Sequence, residues 1–220
     1  MSAVADISEA AARPRQRRKE ARPAELTAAA LEVFVEKGYA ATRLEDVAAR
    51  AGVGKGTVYL YFESKEALFK AAIEGAMTPA VEAAEALAQC GELPAAERMR
   101  AFVHGWWHMV ASTPAGGLPK LLIAESGNFP EVARWHYENI VRRAMRALER
   151  IIEGGIASGE FRPVPVESAT RIVFSPMFAL IIWKRGFGGD VICDLPEPLR
   201  FLDEALDLLL NGLNGDPRCA

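Results

Sequence analysis

From Pro23 almost to the C-terminus, apolar residues recur at three- and four-residue steps, and no stretch alternates apolar with polar over the length of a strand. That feature confines the chain to helices packed on helices. Leu26, Ala30, Leu31, Phe34 and Val35 form a stripe that starts after Pro23, a residue suited to a first helical turn, and stops at Gly38. Thr42 is placed as the next N-cap, with Glu45 in the capping-box position, and Leu44, Val47, Ala48 and Ala51 give a short helix stopped by Gly52. The connection Val53-Gly54-Lys55-Gly56 leads into a very short helix around Thr57–Tyr61. Ser64 then caps a longer one, with Ala67, Leu68, Ala71, Ala72 and Gly75 inward. Beyond Thr78-Pro79 the helices lengthen: near Ala95–Ser112, Leu118–Glu125, Pro130–Ile156, Val166–Phe187 and Glu197–Leu210. Gly116-Gly117, Gly127, Gly154-Gly155, Pro163-Val164-Pro165 and Gly188-Gly189 separate them. Pro176 is expected to kink or split the helix that contains it.

These breaks predict an all-α fold in four parts: a basic arm over 1–22 with no apolar stripe, expected to be mobile until bound; a small helical domain over 23–75; a larger one over 76–214; and a tail over 215–220. The net charge of −3 argues against a nucleic-acid partner, but its distribution does not. Residues 1–70 carry twelve Lys and Arg against ten Asp and Glu; the remainder carries fourteen against nineteen. Six of the twelve cations fall between Arg13 and Arg22, so a basic end sits on an acidic body. The arm reads either as a DNA-contacting element or as a solvated tail. Cys90, Cys193 and Cys219 lie far apart in no metal-binding or disulfide pattern and read as free thiols. The first twenty residues lack the apolar core of a signal peptide. The apolar run Ile172–Trp183 is interrupted by Ser175 and Pro176 and reads as too short to span a bilayer. A cytoplasmic protein with no membrane partner is expected.

Two short helices joined by a glycine turn within about twenty residues have the helix-turn-helix outline. The first braces the second, and the second is short enough to present polar side chains to a major groove. Gly52 suits the tight turn, and Gly54 and Gly56 allow close approach of backbone to a phosphate. Lys55 and Lys65 are cations flanking the short helix, Tyr59 and Tyr61 offer hydroxyl donors, and Thr57 offers a hydroxyl and a methyl to a base edge. Val53, Val58 and Phe62 read as core. Tyr59 and Tyr61 have packing against the small domain as their other reading. The Gly-x-Gly-x-Gly spacing is also that of a dinucleotide loop, but no strand precedes it.

The stretch TAAALEVFVEKGYAATRLEDVAARAGVGKGTVYLYFESKEALFKAAI, Thr27–Ile73, resembles the DNA-binding domain of the TetR/AcrR transcriptional regulators. Three motifs carry the resemblance: F-x-x-K-G-Y-x-x-T at Phe34–Thr42, V-A-x-x-A-G-V at Val47–Val53, and K-G-T-V-Y-x-Y-F-x-S-K-E-x-L at Lys55–Leu68. It covers a quarter to a third of the chain and implies a ligand-responsive homodimeric repressor of a palindromic operator. It also implies a reading helix at about Lys55–Leu60, a bracing helix at about Arg43–Ala51, and phosphate contacts from Thr42, Arg43, Lys55, Tyr59, Tyr61 and Lys65. Gly54 brings no side chain where relatives carry Ser or Thr. Family members vary most around Gly54, Lys55 and Thr57, so operator choice is expected to vary with these positions, and Gly56 between them is counted with the DNA-binding residues.

The same resemblance implies that the larger domain binds a small-molecule effector and dimerises through the helices 166–187 and 197–210. Leu199, Leu202, Ala205, Leu206, Leu209 and Leu210 form a broad apolar stripe suited either to that interface or to the protein's own core. The aromatic-rich middle offers Phe102, Trp106, Trp107, Val110, Leu122, Tyr137, Phe174, Met177 and Phe178 as candidates for a cavity that takes an apolar or aromatic effector. Met109 would add flexibility, and Ser126 and Asn128 read as pocket polar groups or caps. His104 and His108 share a helix face; metal binding, with a carboxylate such as Glu125, is one reading, and pocket or surface polar groups are the others. No metal or cofactor is assigned. No Ser/His/Asp set or paired carboxylate suggests catalysis. A helical carrier or enzyme, and a protein-binding helical module, are the rival classes.

Overall fold

A computed structural model describes residues 13–186 and 197–213, with side chains over 22–185 and 197–212. Residues 1–12, Cys193, Cys219 and the tail 215–220 lie outside the described residues, as do the side chains of the basic arm. Among the described residues the regular structure is helical, with no strand. The chain divides into two compact units, Met1–Gly75 and Ala76–Ala220.

The first unit contains α1 (Arg13–Lys37), α2 (Leu44–Arg50), α3 (Lys55–Tyr61) and the start of α4 (Lys65–Gln89). α1 begins at Arg13, ahead of the Pro23 start that the apolar pattern predicts. The stretch Arg13–Arg22 has no stripe, but its Ala, Arg, Gln and Glu are good helix formers, and propensity extends the helix where patterning is silent. Leu26, Ala30, Val33 and Phe34 from α1, Val47 and Ala48 from α2, Val58 from α3, and Leu68, Phe69 and Ile73 from α4 are buried together. Phe34, Tyr39 and Phe69 form an aromatic trio with centroids 4.6–5.7 Å apart. Gly38 and Gly52 both have positive φ, 84° and 65°, which is how the chain leaves α1 and α2 in a single residue.

The cap of α2 departs from the sequence expectation. Arg43, not Thr42, is the N-cap, and its backbone N–H donates to Asp46 Oδ2 at 3.1 Å. Thr42 is buried, and its hydroxyl donates to Gly38 O at 2.7 Å, so it closes the end of α1 rather than opening α2. Ser64 does cap α4, its Oγ accepting the Ala67 N–H at 3.0 Å.

The second unit holds the rest of α4 and α5 (Ala95–Trp106), α6 (Leu118–Glu125), α7 (Pro130–His136), α8 (Arg142–Ala157), α9 (Val166–Ile181) and α10 (Pro198–Leu213). π-helical turns at Trp107–Ala111, Tyr137–Val141 and Ile182–Gly186 continue α5, α7 and α9, a detail that periodicity alone does not signal. Met99, Phe102, Leu148, Ile151, Ile152, Met177, Ile181, Leu202 and Leu206 form the core between α5, α8, α9 and α10. Glu160 caps α5 from the loop after α8, accepting the N–H groups of Ala95 at 2.6 Å and Ala96 at 2.8 Å. Pro176 does not split α9, which runs continuously through it.

With its π turn, α9 gives a helix, Val166–Arg185, long and apolar enough by length and composition to cross a membrane, with mean hydropathy 1.3. The apolar run Ile172–Trp183 is the inner part of this helix, and the residues on either side of it extend the stretch to that length. In the fold, Ala169, Thr170, Val173, Met177, Leu180 and Ile181 bury one face of this helix in the core of the second unit.

Candidate nucleic-acid interface and ligand cavity

In the first unit, Val58 fixes the orientation of α3 by inserting fully into the core. Gly56 and Leu60 are therefore turned outward on the opposite side, Tyr59 is exposed on the flank, Lys55 is exposed as the first residue of α3, and Thr57 and Tyr61 are half-buried. Tyr59 is 50% exposed, so of its two sequence readings packing is not the one adopted. Leu60, at 73% exposure, is an apolar member of this face that the sequence reading left out. A Cβ built on Gly54 or Gly56 meets nothing within 4 Å. Packing does not require glycine at either position, and both leave backbone open to a close partner.

Lys55 pairs with Glu45 of α2, and its Nζ lies 5.6 Å from the Tyr59 ring centroid. The hydrogen bond from Lys55 holds the Glu45 carboxyl below its ordinary pKa, and Glu45 in turn raises the Lys55 ammonium. Both side chains are half-exposed, so a phosphate can displace the carboxylate at little cost. Arg43 is exposed at the start of α2.

Two of the expected phosphate contacts are otherwise engaged. The buried hydroxyl of Thr42 is directed at Gly38 O. Lys65 Nζ donates to the carbonyls of Tyr39 at 2.8 Å, Ala40 at 3.2 Å and Thr42 at 3.2 Å, and lies 4.6 Å from the Tyr39 ring centroid. An ammonium has three N–H donors, and all three are engaged. Lys65 thus pins the α1–α2 turn; sequence showed a cation in the right neighbourhood but not the carbonyls that surround it. Lys37–Asp46 at 2.9 Å and Arg50–Glu32 at 2.9 Å hold α2 against α1 and leave α3 as the outward element.

The second unit contains an apolar cavity of about 260 Å³. Seven of the nine sequence candidates line it: Phe102, Trp106, Val110, Leu122, Phe174, Met177 and Phe178. Trp107 and Tyr137 do not. Trp107 is one residue round the helix from Trp106 and is buried in the core, with Lys184 Nζ 5.8 Å from its ring centroid. Tyr137 follows His136 and faces outward into a polar cleft with Arg142, Arg146 and Arg171. Sequence reasoning missed the α4 wall, including Met77, Ala80, Val81 and Ala84, because small residues give no aromatic signal. It also missed His136, which lines the cavity from α7. Burial lowers the His136 pKa to about 4, so its imidazole is neutral at physiological pH.

His104 Nε2 lies 2.7 Å from Asp203 Oδ1, which ties α5 to α10, and His108 is exposed. Among the described residues no group of three or more His, Cys, Asp or Glu is placed to hold a metal. Ser126 donates to Ile123 O at 2.9 Å and Asn128 to Glu125 Oε2 at 3.3 Å, so both finish α6 rather than face the cavity. Cys90 is a free thiol.

Known proteins resemble both units. The family model for bacterial regulatory proteins of the tetR family matches residues 26–72, and that for the tetracyclin repressor-like C-terminal domain matches residues 93–190. An HTH-type transcriptional regulator of Bacillus subtilis, YfiR, is 30% identical over 148 residues, covering 66% of this chain and 71% of the relative. The HTH-type transcriptional repressor KstR2 of Rhodococcus jostii is 27% identical over 202 residues, covering 89% and 92%. Among solved structures, the transcriptional regulator FadR from Bacillus subtilis in complex with stearoyl-CoA has the same fold, with a TM-score of 0.70 at 22% identity over 86% of this chain and 98% of that one. With the outward reading helix in the first unit and the helical second unit both accounted for, the chain belongs to the TetR family of DNA-binding helix-turn-helix transcriptional regulators.

Proposed function

We propose that this protein is a ligand-responsive homodimeric repressor that binds a palindromic operator and acts in the cytoplasm. The observation that carries this reading is the path of α4. Lys65 at its start pins the turn before α2, and Met77, Ala80, Val81, Ala84 and Leu87 further along the same helix line the cavity. An effector that prefers one placement of α4 shifts the operator-binding equilibrium by its differential affinity. The structural neighbour crystallised with stearoyl-CoA supports an apolar effector, as does the cavity lining. Homodimerisation through α9 and α10 is supported by the apolar surface they expose. Ile172 is 51% exposed and Leu208 77%, and both line a groove with Val164, Pro165 and Leu209. A twofold dimer presents two copies of α3 to two half-sites.

The test starts from a duplex selected out of a random pool. Fluorescence anisotropy at several salt concentrations should show affinity falling steeply with salt, with two protomers per duplex. An apolar effector should release the duplex. Tight effector binding with unchanged duplex affinity would end the switch reading, and a flat salt response would favour a protein partner over DNA.

A further inference from the structure

The cavity in the second unit is lined almost wholly by Ala, Val, Leu, Ile, Met, Phe and Gly. Lys, Arg, Asp and Glu are missing from its lining, as are hydroxyl and amide side chains; the nitrogens of Trp106 and His136 are its side-chain hydrogen-bonding groups. His136 stands apart from its surroundings. It is 9% exposed and lines the cavity; its Nδ1 is sealed inside the protein without a hydrogen-bond partner, so a cavity occupant can meet only the rest of the ring, where Nε2 is the polar atom. A neutral imidazole offers one donor and one acceptor whichever tautomer is present. The residue is held in place by the start of a π-helical turn, Tyr137–Val141, whose Ile140 and Val141 also line the cavity.

We infer that His136 is the polar recognition group of the effector cavity, and that the effector class is an extended apolar molecule carrying one uncharged hydrogen-bonding group, such as a ketone, ester, thioester or alcohol, that docks on its imidazole. The inference rests on the effector-binding reading above and narrows it. A carboxylate is disfavoured inside the cavity because no cation lines it to pay for desolvation. Any anionic part of a larger effector must lie outside, toward the exposed rim at Met109, Ile123 and Phe178.

The experiment uses the full-length protein and a series of equal chain length: decane, 1-decanol, 2-decanone and decanoate. Binding is read directly by Trp fluorescence, since Trp106 lines the cavity, and by calorimetry. The wild type should bind the ketone and alcohol on the order of tenfold more tightly than decane, as one hydrogen bond in a dry site allows, and should bind decanoate more weakly than either at neutral pH. His136→Phe keeps a ring of similar size. It should bind decane as the wild type does and lose the preference for ketone and alcohol. The inference is overturned if the wild type shows no such preference, if decanoate binds best, if none of the four binds, or if the folded His136→Phe variant retains the preference. Should His136→Phe not fold, the wild-type series decides alone. Operator release is measured separately: ketone binding without release would remove the repressor switch and leave the recognition role of His136 standing.

Discussion

Lys65→Met separates a DNA contact from a structural lock. The methionine keeps the aliphatic stem and removes the three N–H donors that meet the carbonyls of Tyr39, Ala40 and Thr42. A hydrogen bond from a charged donor contributes about 1.5–3 kcal/mol, and the contact with the Tyr39 ring adds about 0.5–1 kcal/mol. The three bonds share one charge on a half-buried ammonium that water solvates once they are lost, so they are counted as about one bond's worth and not summed. The expected loss is therefore about 2–3 kcal/mol, a large share of the ~5–15 kcal/mol by which a domain is stable. Urea unfolding followed by circular dichroism reads it as a lower midpoint at unchanged slope. Once corrected for the folded fraction, the salt dependence of duplex binding should equal that of the wild type. If Lys65→Met unfolds like the wild type while its log–log salt slope drops by about 0.9, Lys65 is a phosphate ligand and the lock is wrong.

Lys55→Ala should behave in the opposite way, with stability close to wild type and a salt slope smaller by about one phosphate's worth, measured by anisotropy. His136 gives a pH dependence. Its pKa is about 4 in the folded state and near 6.5 unfolded, so the unfolded chain binds the extra proton between those values. Its neutral-state stability is full above about pH 6.5 and falls as the pH drops toward 4, by about 2 kcal/mol between pH 7.5 and 5; urea titrations of His136→Phe should lack that increment. Gly155→Ala drives a Cβ into the Phe161 ring and places it 2.8 Å from Ala95 Cβ, and should cost about 1–3 kcal/mol by overpacking. Gly105→Ala meets nothing within 4 Å on a helix and should be neutral or stabilising by up to about 1 kcal/mol; equal thermal shifts for the two alanines would contradict both.

Local chemistry was enough to determine the helices, because apolar period and glycine or proline breaks act within a few residues. α6 is placed at Leu118–Glu125 by sequence and by structure alike, and Gly52 sits where a left-handed residue must. The short helix was legible for the same reason, but 3.6-residue geometry sets only Gly56 and Leu60 opposite the buried Val58; Lys55, three residues before Val58, is exposed because it is the first residue of α3. What a polar side chain touches is set by residues far away in the chain, and only the tertiary structure decided that. Lys65 meets carbonyls more than twenty positions earlier, Thr42 turns back onto α1, and Glu160 caps a helix that starts sixty-five residues before it. The cavity shows the same division. Its aromatic wall was visible as composition, but its alanine wall, the exclusion of Trp107 and Tyr137, and the unpartnered imidazole of His136 emerge only where helices distant in sequence converge.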